Sequence, residues 1–294
     1  MDFSQQISQY LLSGLATGAI YALIGLGFAI IYNSTGIINF AQGEFVMLGG
    51  MFGVYFHTIH NFNLVVALLL AVACAAISGV VFERLAIRPL RKATPLGLVI
   101  ITIGGSILVR GIAMLVWGKD THALPTFSGD EPITLAGATL LPQHLWIFAL
   151  TVLLIAVNKL FFQFTITGKA LRACAVNQRA AGLVGIDVRR MVMFSFLLAS
   201  GMGALAGIII APLTMTSYDV GIMLGLKGFC AAIIGGMSNG IGTVLGGLIL
   251  GVLEALGAGL ISSGYKDAVT FIILLLILFL RPQGLFSRGD SERV

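Results

Sequence analysis

A chain of 294 residues that is 58% hydrophobic and 10% charged, with a mean hydropathy of +1.02, is not a soluble globular protein; those carry about 25% charged residues. The composition is that of a polytopic membrane protein. The net charge of +5 and pI near 9.3 do not point to nucleic acid, because the cations are gathered in a few short loops. The 38 glycines are too aperiodic for collagen and imply close helix–helix approach and broken helices.

In chain order, apolar runs cover Tyr10–Tyr32, Ile37–Phe56, Leu64–Leu85, Pro95–Trp117, Leu145–Phe162, Met191–Thr214, Ile222–Met237, Thr243–Ile261 and Asp267–Leu280. The pattern predicts an all-α fold of about eight transmembrane helices, with re-entrant or half-helices and one short cytoplasmic helix. The whole chain, 1–294, reads as a single transmembrane domain. Ile222–Met237 is short and Gly-rich, a candidate half-helix, and Ile37–Phe56 opens on polar residues, a candidate re-entrant piece. The polar start, Asp2–Gln9, lacks the basic n-region of a cleavable signal peptide, so none is expected.

Basic residues set the orientation. Arg84, Arg88, Arg91 and Lys92, then Lys169, Arg172, Arg179, Arg189 and Arg190, then Arg281, Arg288 and Arg293 make up twelve of the 17 cations. They mark the cytoplasmic side, with the loop at about 164–190 as its centre. The loop at about 118–142, holding Asp120, Asp130, Glu131, Pro125 and Pro132, reads as external. Three runs before Arg84 place the N-terminus outside, unless one of them is re-entrant.

Polar residues within apolar runs are the candidate functional positions. Asn39, Gln42, Gly43 and Glu44 cluster at the expected start of a helix, whose free N–H groups and positive dipole end suit an anionic solute group. The plainer alternative has Asn39 capping that helix and Glu44 pairing with a nearby cation. Gly235 and Gly236 open a glycine-rich turn, and Gly242/Gly246 and Gly247/Gly251 fit small-xxx-small packing. Arg110 and Lys227 could snorkel to an interface, whereas Glu254 calls for a partner on another helix. Between two runs, GKALRACAVNQRAAGLVGI (168–186) reads as a surface helix, with Lys169, Arg172 and Arg179 on one face and Leu171, Cys174, Ala175 and Ala181 opposite.

Several chemistries are not expected. No Gly-Lys-Ser/Thr phosphate loop is present, so the chain does not itself bind nucleotide. Cys74, Cys174 and Cys230 form no CxxC pair, and His57, His60, His122 and His144 have no metal-ligand spacing. No cofactor, metal or catalytic constellation is anticipated.

Five segments in order carry a resemblance over about Leu12 to Phe286: INFAQGE, ERLAIRPLR (83–91), GKALRACAVNQRAAGLVGI (168–186), AAIIGGMSNGIGTVLGGLILGVLE (231–254) and KDAVTFIILLLILFLRPQGLF (266–286). Together they closely resemble the branched-chain amino-acid ABC transporter permease family, specifically its LivH-type subunit. The resemblance implies a bacterial or archaeal inner-membrane importer subunit, embedded in lipid. Its implied partners are a related LivM-like permease, one or two cytoplasmic ATPase subunits, a periplasmic solute-binding protein and a small-molecule substrate. It also implies that the Gly168–Gly185 helix docks on an ATPase, with Arg172, Asn177 and Ala181 at matching positions. Relatives with these motifs import branched-chain amino acids, urea, short amides or carboxylates; Gln42 stands where many members carry His. The alternatives are a stand-alone channel or secondary transporter, opposed by the absence of an inverted repeat or coupling carboxylate cluster, and a membrane-embedded enzyme.

Overall fold

The computed structural model describes residues 3–90, 94–135 and 138–286. Arg91, Lys92, Arg288 and Arg293, which contributed to the orientation argument, lie outside them. Each of the nine apolar runs is a helix. They are α1 (Phe3–Thr35), α2 (Gln42–Val54), α3 (Leu64–Phe82), α4 (Pro95–Trp117), α5 (Pro142–Phe164), α8 (Val188–Thr214), α9 (Val220–Gly235), α10 (Gly240–Leu260) and α11 (Lys266–Leu280). Two short helices, α6 (Ile166–Val176) and α7 (Gln178–Leu183), lie between α5 and α8. Among the described residues, seven helices are long and apolar enough to cross a membrane, and α9 is shorter.

Helix α1 is the axis of the molecule, packed against α8, α9 and α10. Glycines make this possible. Gly14 and Gly18 of α1 meet Gly247 and Gly251 of α10, while Gly242 and Gly246 of α10 face Gly235 and Ala231 of α9. Both small-xxx-small pairs are therefore used, on two faces of one helix, against two neighbours. Phe28, Phe45 and Phe196 fill the space between α1, α2 and α8. Helices α3, α4, α5 and α11 are peripheral, with exposed Leu, Ile and Val along their outer sides, as lipid contact requires.

Hydrogen bonds at the two ends of α1 fix its direction. Gln9 Nε2 donates to Thr139 O (2.9 Å) and Thr139 N to Gln9 Oε1 (2.7 Å), joining the start of α1 to the external loop. At the other end Gln178 Nε2 donates to Ser34 O (2.7 Å), joining it to the basic loop. The start of α1 thus lies on the side of the 118–142 loop, read from the charges as external, and its end on the side of the basic loop. The 118–142 loop holds an antiparallel strand pair, β1 (Ile133–Leu135) and β2 (Ala138–Leu140), a departure from the all-α expectation.

Helix α2 is not a full span. After α1 the backbone turns at Gly36 (φ +73°), runs back without helical structure, and becomes helical only at Gln42. Its far end continues as five residues of π-helix, Tyr55–Ile59. Helix α9 starts just after Thr216, which pairs with His122 of the external loop, and ends at the turn beside Asn33. It therefore runs from one side to the other in 16 residues, about 24 Å at 1.5 Å per residue.

Candidate functional site

The first turn of α2 sits between α1 and α8 on one side and α4 and α9 on the other. Asn39, Gln42 and Glu44 are all buried. Asn39 does not cap the helix: Ala41 holds that position, and Asn39 Oδ1 instead accepts from the Ala41 N–H (3.1 Å). Phe40 N donates to Thr102 Oγ1 of α4 (3.1 Å), and the Phe40 ring lies 5.3 Å from that of Phe229 on α9.

From this turn the side chains diverge, since consecutive positions on a helix differ by about 100°. Gln42 points at α1 and α8, where its Nε2 donates to Ala199 O (2.9 Å) beside Gly27 and Gly203. Gly43 lies flat against the backbone of Gly221 and Gly225 on α9. Glu44 points at α4: Ser106 Oγ donates to its Oε1 (2.7 Å), and Arg110 is ion-paired to it at 3.5 Å. Arg110 also donates to Ser106 Oγ (3.3 Å). The expected pairing of Glu44 is present, and Arg110 does not snorkel. Asn39 Nδ2, Gln42 Oε1, Glu44 Oε2 and Arg110 Nε are buried without a hydrogen-bond partner, which is unusual for polar atoms in a folded interior.

A second polar cluster joins α1, α9, α10 and α11. Lys227 Nζ lies 2.7 Å from Glu254 Oε1 and 2.7 Å from Asp267 Oδ1. Tyr21 Oη donates to Glu254 Oε2 (3.0 Å), and Thr270 Oγ1 donates to the same oxygen (3.1 Å). Lys227 is buried here and does not reach an interface. Nearer the end of α1, Gly235 closes α9 and Gly236 (φ +95°) turns the chain. Asn239 then caps α10 and holds Phe286 O through its Nδ2 (2.9 Å).

The basic 164–190 segment differs from the single helix expected from its sequence. Asn177 (φ −159°, ψ 107°) breaks it into α6 and α7. Its Oδ1 accepts from Arg179 N and Ala180 N, both 3.0 Å, so the residue that stops α6 also starts α7. Arg179 therefore does not continue the face formed by Lys169 and Arg172. Leu171, Cys174 and Ala181 are buried as expected, but Ala175 is exposed. Gly168 sits tight against the end of α5, its N–H capped by Thr165 Oγ1 (2.9 Å). Gly185 (φ +90°) ends α7 in the left-handed region where glycine is favoured. Cys174 is buried, and that burial pushes its thiol above the ordinary pKa. A cavity of about 690 Å³ opens beside this segment, bordered by Tyr32, Asn33, Cys174, Asn177, Gln178 and Ser238. Replacing Asn177 with Ala removes the α7 cap and is expected to cost about 1 kcal/mol locally; faster proteolytic cleavage between α6 and α7 is the readout.

Residues 10–278 match the family described as "Branched-chain amino acid transport system / permease component". The chain is 32% identical over 310 aligned positions to the high-affinity branched-chain amino acid transport system permease protein LivH of Escherichia coli K12, covering 97% of each. It is 33% identical to the corresponding permease BraD of Pseudomonas aeruginosa, again covering 97% of each. The archaeal Methanocaldococcus jannaschii probable LivH permease is 26% identical over 90% of the chain and 88% of the relative. Among solved structures, PsaBC from Streptococcus pneumoniae in complex with Fab shares the fold, with a TM-score of 0.51, 12% identity and coverage of 93% and 92%. By its sequence match to these permeases over nearly its whole length, the chain belongs to the family of branched-chain amino acid transport permeases, as a multi-pass cytoplasmic-membrane subunit of an ABC transporter and not an enzyme.

Proposed function

We propose that the whole chain acts as one permease domain of a binding-protein-dependent importer of branched-chain amino acids or a related small amide or carboxylate. It works with a LivM-like permease, one or two cytoplasmic ATPases and a periplasmic solute-binding protein. The names of the relatives, at about one-third identity over nearly the full chain, support the solute class. On this reading Asn39, Gln42, Gly43 and Glu44 line the route taken by solute, and Gly235, Gly236, Gly242, Gly246 and Glu254 set the packing within which helices shift. The segment from Gly168 to Gly185 couples the route to the ATPase.

The observation that carries the coupling assignment is the surface of α6 and α7. Val176, Leu183 and Val184 are 88%, 89% and 78% exposed on the cytoplasmic side, next to exposed Arg172 and Arg179. Apolar side chains standing in water beside cations form a surface made to be covered by another protein. Its motion has a direct route inward: Gln178 holds Ser34, and the chain from Ser34 leads through Gly36 to Asn39.

The test is a mild-detergent pull-down of the tagged chain expressed with its neighbouring genes, followed by leucine uptake in proteoliposomes. Recovery of a second permease and ATPase, with uptake that needs ATP and the binding protein, is the expected outcome. Solute flux from this chain alone would replace the proposal with a channel. Arg172→Glu reverses an exposed charge at the docking surface, a change that costs about 2 kcal/mol or more at an interface hot spot. Uptake is expected to fall roughly tenfold or more while the chain stays in the membrane. Normal uptake by that variant would remove α6 from the coupling mechanism.

A further inference from the structure

Arg110 stands at a depth where charge is expensive. It lies seven residues before the external end of α4, about 10 Å at 1.5 Å per residue, and its guanidinium runs back one turn to Ser106, deeper still. The hydrocarbon layer is about 30 Å thick, so this position is well inside it. Yet the side chain keeps 25% of its surface open, while its partner Glu44 keeps 2%. A guanidinium open to acyl chains at that depth is strongly disfavoured. The face carrying it is therefore not covered by lipid.

The contacts of Arg110 also leave its recognition capacity largely unspent. Guanidinium offers five N–H donors in a planar fork suited to a carboxylate. Here the contacts are one long bond to Ser106 (3.3 Å) and an ion pair with Glu44 at 3.5 Å, and Nε is buried without a partner. Glu44 Oε2 is likewise unpartnered and faces Gly221, two residues after Asp219. Asp219 is exposed just before α9 and accepts from Ser217 Oγ (2.6 Å). One cation and two acids share this place, a pattern matched by a solute carrying both a carboxylate and an ammonium group.

We propose that the face formed by α2, α4 and α9 around Arg110, Glu44 and Asp219 is the water-lined side of this chain, a station for a zwitterionic solute at which Arg110 takes the carboxylate and Glu44 and Ser106 hold the guanidinium in place. The proposal rests on the permease reading and assigns Arg110, which the sequence left as a snorkelling residue, to the solute route.

The assembled transporter, with its partner subunits and binding protein, is reconstituted carrying Arg110→Gln, Glu44→Gln or both, on a Cys74→Ser background. Leucine uptake is expected to fall roughly tenfold or more for Arg110→Gln. The double variant is expected to stay as low, because it restores charge balance but not carboxylate recognition. Uptake in the double variant within about twofold of wild type would reduce Arg110 to a counter-ion for Glu44 and overturn the proposal. Arg110→Cys adds a chemical test. Aminoethyl methanethiosulfonate, which restores a cation, is expected to recover uptake, whereas the methyl and sulfonatoethyl reagents are not. If Arg110 variants do not assemble, Ser106→Cys, nearly isosteric, decides the matter. Reaction with the water-soluble sulfonatoethyl reagent supports a wet face, and no reaction in the assembled complex rejects it. Absence of ATP-dependent leucine uptake in wild type would instead defeat the permease reading, and labelling of Ser106→Cys reads the wet face independently of which solute is carried.

Discussion

Lys227→Met is expected to lower stability by roughly 3–5 kcal/mol, the usual cost of removing one member of a buried ion pair. Lys227 is shared between Glu254 and Asp267, each at 2.7 Å. Without it, Glu254 is left buried among Tyr21 and Thr270 with a second carboxylate nearby. Glu254→Gln is expected to cost less, about 1–3 kcal/mol. Lys227 then keeps Asp267, whose side chain is 41% exposed, and the Gln carbonyl still accepts from Tyr21 or Thr270. The double variant removes both buried charges and leaves only the partly hydrated Asp267, so its loss is smaller than the sum of the two. Unfolding in mild detergent, followed by temperature or by titrated denaturant, measures all three. A Lys227→Met protein as stable as wild type would show that the cluster is hydrated and not a strut between α9, α10 and α11.

The order of effects separates what this cluster does from what the Glu44 cluster does. Both carboxylate oxygens of Glu254 are engaged by donors from other helices, whereas Asp267 Oδ1 has only its ion pair with Lys227. Around Glu44 one oxygen is engaged and the other is not. A saturated network rigidifies the helices it joins, whereas a half-satisfied one is costly unless a further partner completes it. The same residue type is thus fully engaged at one site and half-satisfied at the other, and only the hydrogen-bond inventory tells the two apart.

Sequence reading located the helices because hydropathy depends on runs of neighbours. Pro95–Trp117 was bounded to the residue, with Thr94 accepting from Gly97 N–H to cap it and Pro95 in the first turn. Partners could not be read in the same way. Glu44 meets Ser106 across 62 positions, and Lys227 meets Glu254 across 27, so neither pairing leaves a local trace. The break at Asn177 did leave one. Asn ahead of Gln-Arg-Ala-Ala is an N-cap signal, masked by the Ala-rich flanks that favour one unbroken helix. The antiparallel strand pair was also legible in the β-branched ITL and ATL segments, a weak signal beside the far stronger membrane pattern.

Gly43→Ala is expected to nearly abolish leucine uptake, although it adds a single methyl group. A Cβ at that position meets the carbonyl of Gly221 and comes within 2.9 Å of the Gly225 Cα, so the obstruction is backbone and not the end of a flexible side chain. No rotamer change relieves it; α2 and α9 must separate. Overpacking of this kind typically costs about 1–3 kcal/mol, but the functional loss is larger than the stability loss because Gly43 lies between Gln42 and Glu44. Displacing the turn moves Gln42 off Ala199 O and Glu44 off Ser106 together. Gly104→Ala on α4 is the matched control, since no atom lies within 4 Å of its added Cβ, and it is expected to transport normally. Uptake assayed at equal membrane levels of the two proteins checks the prediction. Normal transport by Gly43→Ala would mean that α2 and α9 are not held at this distance during the cycle, and the polar turn would then lose its claim to a fixed geometry.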